Sequence, residues 1–128
     1  MSLPYLDSEE AVGNALTQGN LTLLYFTADW CGPCQQIKPF VTDVNTKTPS
    51  LQVFLIDVDK SEELSKKFEI RKMPTFFLFH QQEMLLRFSG ADAEKLGMVI
   101  QVAVRMEQKI IPPKDANEKT LQPRKLKQ

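Results

Sequence analysis

Cys31 and Cys34 are the only two cysteines of the chain, and Gly32-Pro33 alone separates them. Two thiols at that spacing can close and open one small disulfide ring, so the chemistry to expect is thiol–disulfide exchange. The segment Trp30-Cys31-Gly32-Pro33-Cys34 lies between an apolar run, Leu21 to Phe26, and a helical pattern. With Cys31 as N-cap of that helix, Gly32, Pro33 and Cys34 become N1 to N3. Pro33 is tolerated there because first-turn N–H groups have no helical partner. The Cys34 N–H and the helix dipole then point at the Cys31 sulfur and favour its thiolate. This makes Cys31 the exposed nucleophile and Cys34 the inward, resolving thiol. Cys31 attacks a disulfide in another protein and forms a mixed disulfide; Cys34 attacks that bond and releases the reduced substrate. Gly32 leaves room for a substrate backbone, and Pro33 stiffens the turn and favours a dithiol that reduces.

A zinc half-site is the competing use of such a pair. Zinc takes four ligands, and the chain offers two Cys and one His. His80 has no partner at ligand spacing and reads as a plain strand-end residue, so no metal is expected.

The elements that must hold the pair can be read in order. Leu3 to Leu6 reads as an edge strand. Asp7 followed by Glu10 reads as a capping box with Asp7 as N-cap, and Val12, Ala15 and Leu16 give the helix its apolar face. Gly19-Asn20 ends it. Leu21 to Phe26 is nearly continuous apolar, the pattern of a strand covered on both faces. A helix from about Cys34 to Asn45 follows, with Ile37, Val41 and Val44 on one side. Pro39 inside it cannot bond back to Gln35, so a kink is expected. Leu51 to Asp57 is a second buried strand, and a short helix capped by Asp59 or Ser61 runs through Phe68. Ile70 to Met73 is a loop. Thr75 to Phe79 is a third strand, and Met84 to Phe88 pairs back on it across Gln81-Gln82. Asp92 caps a last helix with Leu96, Val99, Ile100 and Ala103 inward. Strand–helix–strand units imply parallel pairing and the hairpin adds antiparallel strands. The expected fold is α/β, a mixed central sheet flanked by helices on both faces.

The chain has 128 residues, with 42% hydrophobic and 25% charged. That suits one domain, residues 1–111, and a tail. Residues 112–128 carry five Lys or Arg against two acids and three prolines, and read as an extended or flexible basic tail. A formal net charge of +0 gives no reason to expect nucleic acid. No apolar run approaches a membrane span. The N-terminal residues show no basic region followed by an apolar core, so a cytoplasmic location is the expectation. A single Cys-x-x-Cys there is used for chemistry and not as a staple.

The same residues carry a resemblance. Ala28-Asp29-Trp30-Cys31-Gly32-Pro33-Cys34 is similar to the active-site signature of the thioredoxin family. Pro39 matches that family's helix-kinking proline, Met73-Pro74-Thr75 resembles its cis-proline loop, and Phe88-Ser89-Gly90-Ala91 resembles its turn into the last helix. The resemblance covers about residues 5 to 108. It implies the thioredoxin fold, a cis Pro74 facing the cysteines, and a docking rim of Trp30, Met73, Pro74, Gly90 and Ala91. It also implies a monomer that reduces disulfide-containing proteins in cell redox homeostasis. It implies further that no cofactor is bound and that electrons come from NADPH through a thioredoxin reductase. A trans proline opening a strand is what the bare residues suggest for Pro74.

Three positions depart from the family's pattern. Tyr25 stands where members commonly bury an Asp that accepts the proton of the resolving cysteine. Leu55 replaces that Asp's usual Lys partner, and Gln35 replaces the basic residue after the second cysteine. A phenol with a reference pKa of about 10 is a poor base near neutrality. Asp57 and Asp59 read as solvated caps. The alternative function is a thioredoxin-fold interaction module with little turnover, docked through the rim or the basic tail. A more oxidising oxidase or isomerase is disfavoured by Pro33.

Overall fold

β1 (Leu21–Thr27) is buried at every residue, and the remaining elements are arranged around it. The computed structural model describes residues 3–110; the basic tail at 112–128 lies outside them. β2 (Leu51–Asp57), β3 (Thr75–His80) and β4 (Glu83–Ser89) complete one four-stranded sheet of order β2-β1-β3-β4. β1 and β2 run parallel, in register from Leu21↔Leu51 to Thr27↔Asp57. β3 is antiparallel to β1, and β4 to β3.

Alternation along β1 feeds two cores, because successive side chains of a strand point to opposite faces. Leu21, Leu23 and Tyr25 pack with Ile37 and Val41 of α2 (Gly32–Lys47) and with Leu96, Ile100 and Ala103 of α4 (Ala93–Ile110). Leu24 and Phe26 pack on the other face with Val12 and Leu16 of α1 (Glu9–Gln18) and Leu64 of α3 (Glu62–Lys67). Both faces are covered, which is why the strand reads as a continuous apolar run. Fully burying a side chain such as Phe26 contributes about 1.5–3 kcal/mol.

Several local expectations are corrected. The Leu3–Leu6 strand shrinks to one parallel bridge, Tyr5↔Leu55. Ser8, not Asp7, caps α1, and its Oγ accepts the Ala11 N–H at 3.1 Å. Gly19 ends α1 in extended backbone (φ −125°) and not in the left-handed region. Its missing side chain matters for space: a Cβ there would sit 2.6 Å from the Gln52 amide. That amide is held by the Ala15 carbonyl at 2.6 Å and Thr22 Oγ1 at 2.7 Å. α2 begins two residues before Cys34 and extends to Lys47, with Pro39 inside it. Ser61 is the N-cap of α3 but makes no side-chain cap bond. Asp57 Oδ1 takes the Asp59 and Lys60 N–H groups instead, at 2.8 and 3.2 Å. Asp92 caps α4 as expected, accepting from Lys95 N at 3.0 Å.

His80 is more than a strand end, because it faces Glu107 on the core side of α4. Nε2 and Oε2 lie 4.0 Å apart, and neither atom has a hydrogen-bond partner among the described residues. Burial raises the Glu107 carboxyl above its usual range, and His80 offsets this only in part. The folded state therefore holds that proton more tightly than the unfolded chain. The stability associated with it is present at acid pH and lost as pH rises through the folded pKa. Glu107→Gln is expected to raise the unfolding free energy by about 1 kcal/mol at neutral to alkaline pH. The gain should vanish below about pH 4. Urea unfolding at the two pH values measures it.

Candidate active site

β1 ends at Thr27, and the chain turns through Ala28, Asp29 and Trp30 before α2 starts. Cys31 N donates to the Ala28 carbonyl at 3.2 Å, closing the turn. Cys31 is the N-cap in extended backbone, φ −88° and ψ 106°, and its Sγ accepts the Cys34 N–H at 3.2 Å. A thiol occupies the place that a Ser or Asp oxygen takes in ordinary caps. Pro33 falls in the first turn, where no donor is missed. Cys31 and Cys34 are joined by a disulfide with Cα atoms 5.3 Å apart.

The exposure of Cys31 differs from expectation. In the disulfide form it is only 5% exposed and Cys34 is 0%. Ala28 packs with both cysteines, and the partly buried Val58 and Met73 pack against this cluster. Open space lies beside Gly32, where a Cβ would meet nothing within 4 Å. Trp30 is 68% exposed next to it. Its indole Nε1–H donates to Asp59 Oδ2 at 2.7 Å, so the exposed Asp59 carboxylate holds the tryptophan, while Ser61 takes the cap position of α3. Gln35 Nε2 donates to the Ala28 carbonyl at 2.9 Å and braces the turn from the helix side. The sequence reading named Asp59 and Gln35 but gave neither of them these contacts. Asp59 lies 29 positions from Trp30, beyond the reach of any local spacing rule.

The Met73–Pro74 peptide bond is cis. Met73 packs against the cysteine cluster. The Pro74 carbonyl accepts the Gly90 N–H at 2.9 Å, which carries the turn before α4 to the same end of the sheet. Gly90 has φ +108°, a conformation that side chains disfavour. Ala91 follows it, exposed. Trp30, the cysteines, Met73, Pro74, Gly90 and Ala91 thus come from three chain-distant segments to the ends of β1 and β3.

Behind the cysteines, Tyr25 is fully buried and its Cα faces Leu55 across the β1–β2 pair. Its ring stacks on Phe76 with centroids 5.0 Å apart, and its hydroxyl donates to the Cys34 carbonyl. Desolvation pushes its pKa up to about 12. The phenol is therefore neutral at physiological pH, a donor that pins the first turn of α2 and not an acceptor for a thiol proton. Among the described residues, no three His, Cys, Asp or Glu side chains gather into a metal-sized group.

Known proteins resemble this chain in sequence and fold. A family model described as Thioredoxin matches residues 6–102. The chain is similar to the thioredoxin of Callithrix jacchus, at 36% identity over 97 residues that cover 74% of this chain and 92% of the relative. It is 46% identical to Thioredoxin-1 of Drosophila melanogaster over 77 residues, 59% of this chain and 72% of that one. Mitochondrial thioredoxin 3 of Saccharomyces cerevisiae, in its oxidised form, superposes with a TM-score of 0.75 at 28% identity. The superposition covers 78% of this chain and 94% of that one.

Tyr25→Phe removes the phenolic donor while keeping the ring on Phe76. Stability measured by urea unfolding is expected to fall by about 1 kcal/mol, the usual net worth of one hydrogen bond. Because the phenol does not ionise in the working range, the pH profile of disulfide exchange should keep its shape between about pH 6 and 9.

Proposed function

The chain belongs to the thioredoxin family of thiol–disulfide oxidoreductases, and from that premise we propose that it reduces disulfides in other proteins, with Cys31 as nucleophile and Cys34 as resolving thiol. One observation carries this reading above the others: the Cys34 N–H and the N-terminus of α2 converge on the Cys31 sulfur. In the reduced protein the same donors favour a Cys31 thiolate.

The exchange balances in two steps. The Cys31 thiolate attacks one sulfur of the substrate disulfide; a Cys31–substrate bond forms, and the second substrate sulfur leaves as thiolate. The Cys34 thiolate then attacks Cys31 Sγ, and the first substrate sulfur leaves. The substrate gains two electrons and two protons, and the protein ends as the Cys31–Cys34 disulfide. Trp30, Met73, Pro74, Gly90 and Ala91 act as the docking rim. Pro74 has no N–H, so it leaves the Met73 backbone free to pair with an extended substrate strand. Gly32 leaves the approach to Cys31 open, and Pro33 holds the turn.

Recharging needs a two-electron donor, and a thioredoxin reductase drawing on NADPH fits the family's chemistry, with no cofactor bound to the chain itself. We place the protein in the cytoplasm as a monomer. The use of both cysteines as one redox pair supports that compartment. Among the described residues no helix is long and apolar enough to cross a membrane. In this reading residues 1–111 are the catalytic domain and 112–128 a basic extension.

Tyr25 favours a second reading on one point. With a neutral phenol and not a carboxylate beneath Cys34, deprotonation of that thiol falls to water or to Cys31, which slows release of the mixed disulfide. A module that captures partners with little turnover would use that delay.

Insulin reduction separates the two readings, first with dithiothreitol and then with NADPH and a thioredoxin reductase. Wild type is expected to turn over in both, and Cys31→Ser in neither; equal rates for the two proteins would reject the enzyme. Tyr25→Asp restores a proton acceptor and is expected to speed mixed-disulfide resolution about tenfold, below the 10²–10⁴ of a well-positioned base. Stopped-flow rates unchanged by that substitution would sink the account of Tyr25.

A further inference from the structure

The segment from the end of α3 to the start of β3 presents Met73 and Pro74, and the outer strand β4 grips it at both ends. At the far end, Thr75 Oγ1 donates to the Lys72 carbonyl at 2.6 Å and meets Ser89 Oγ of β4 at 3.0 Å. Gly90 N, just past β4, donates to the Pro74 carbonyl at 2.9 Å. At the near end the grip is a single side chain. Arg87 Nη1 donates to the Phe68 carbonyl at 3.0 Å, and Nη2 to the Glu69 carbonyl at 3.2 Å. Its guanidinium carbon lies 4.7 Å from the centroid of the Phe77 ring.

Those two carbonyls lie at a demanding place. Glu69 has φ +53°, a left-handed conformation that costs a non-glycine residue energy. It closes α3, with Glu69 N on the Lys66 carbonyl and Ile70 N on the Ser65 carbonyl, both at 3.0 Å. That is the helix-ending pattern usually given to glycine. A cation at a helix C-terminus is favoured by the dipole. The planar fork of Arg can reach two successive carbonyls while its face rests on an aromatic ring, and the point charge of Lys cannot. The reading of the sequence did not single out Arg87, because its partners lie 19 and 18 positions away on another element.

We propose that Arg87 is a positioning residue for substrate docking: by fixing the Phe68–Glu69 carbonyls it sets where Met73 and Pro74 stand against the cysteine pair. The inference rests on Met73 and Pro74 being the docking edge. Arg87 touches neither cysteine, and Ile70 keeps a separate hold on the core beside α3. Its loss therefore shifts the rim without dismantling the thiol site. The effect should fall on macromolecular substrates, which need the rim, and not on small disulfides, which need only the sulfur.

Full-length Arg87→Lys, Arg87→Met and Met73→Ala are compared with wild type in insulin reduction and in the reaction with DTNB, a small aromatic disulfide. Arg87→Lys keeps a cation beside Phe77 and serves alone if Arg87→Met does not fold. KM for insulin is expected to rise about three- to tenfold in the Arg87 variants, with kcat and the DTNB rate near wild type. A normal KM in Arg87→Lys with a raised KM in Met73→Ala would overturn the inference and leave the docking edge standing. Normal KM values in both would remove the docking edge and the inference together. A DTNB rate falling in parallel with insulin reduction would show general loosening, and would also overturn it.

Discussion

The hydrogen bond from the Cys34 N–H to the Cys31 sulfur sets the terms for everything around it. It exists only if a helix begins at Gly32, and if the chain enters that helix from an extended Cys31. Both conditions are met by the strand behind it. β1 is buried on its whole length, so its end cannot drift, and the turn through Ala28 is closed by the Cys31 N–H and the Gln35 amide. The same geometry that caps the helix aims the positive end of the helix dipole at the Cys31 sulfur, which favours a thiolate there. Fold stability and thiol activation thus share one donor, and neither can be altered alone.

Beneath that donor the protein packs apolar and aromatic side chains. Tyr25, Leu55 and Phe76 belong to one apolar cluster with Ile37 and Val41 of α2. A carboxylate and an ammonium there would each be desolvated, and their attraction often does no more than offset that penalty. An aromatic stack with one hydrogen bond to the Cys34 carbonyl avoids the penalty and holds the helix start firmly. The Tyr25 hydroxyl there is a neutral donor and not a proton acceptor.

The edge strand β4 contributes little to the core, since most of its residues are exposed. Its role is to tie chain-distant loops. Arg87, Ser89 and the Gly90 that follows reach the segment before and into β3.

Much of this was legible in the residues. The strands announced themselves as apolar runs bounded by breakers, because burial on both faces leaves no polar alternation. The placement of Cys31, Gly32, Pro33 and Cys34 at a helix start followed from rules that act within four residues. Other local readings slipped by one position, as when Ser8 took the cap expected of Asp7; neighbouring residues compete for the same N–H, and only the entry angle of the chain decides. Asp59 on Trp30, Gln52 against Gly19, Glu107 against His80 and Arg87 on the α3 terminus could not be read at all. Each joins elements separated in sequence, and its existence depends on which faces meet once the sheet is assembled. Residue types and short spacings determined the thiol chemistry and the layered architecture. Tertiary packing decided how each cysteine is covered, that Tyr25 donates to the Cys34 carbonyl, and that Arg87 meets the carbonyls at the end of α3.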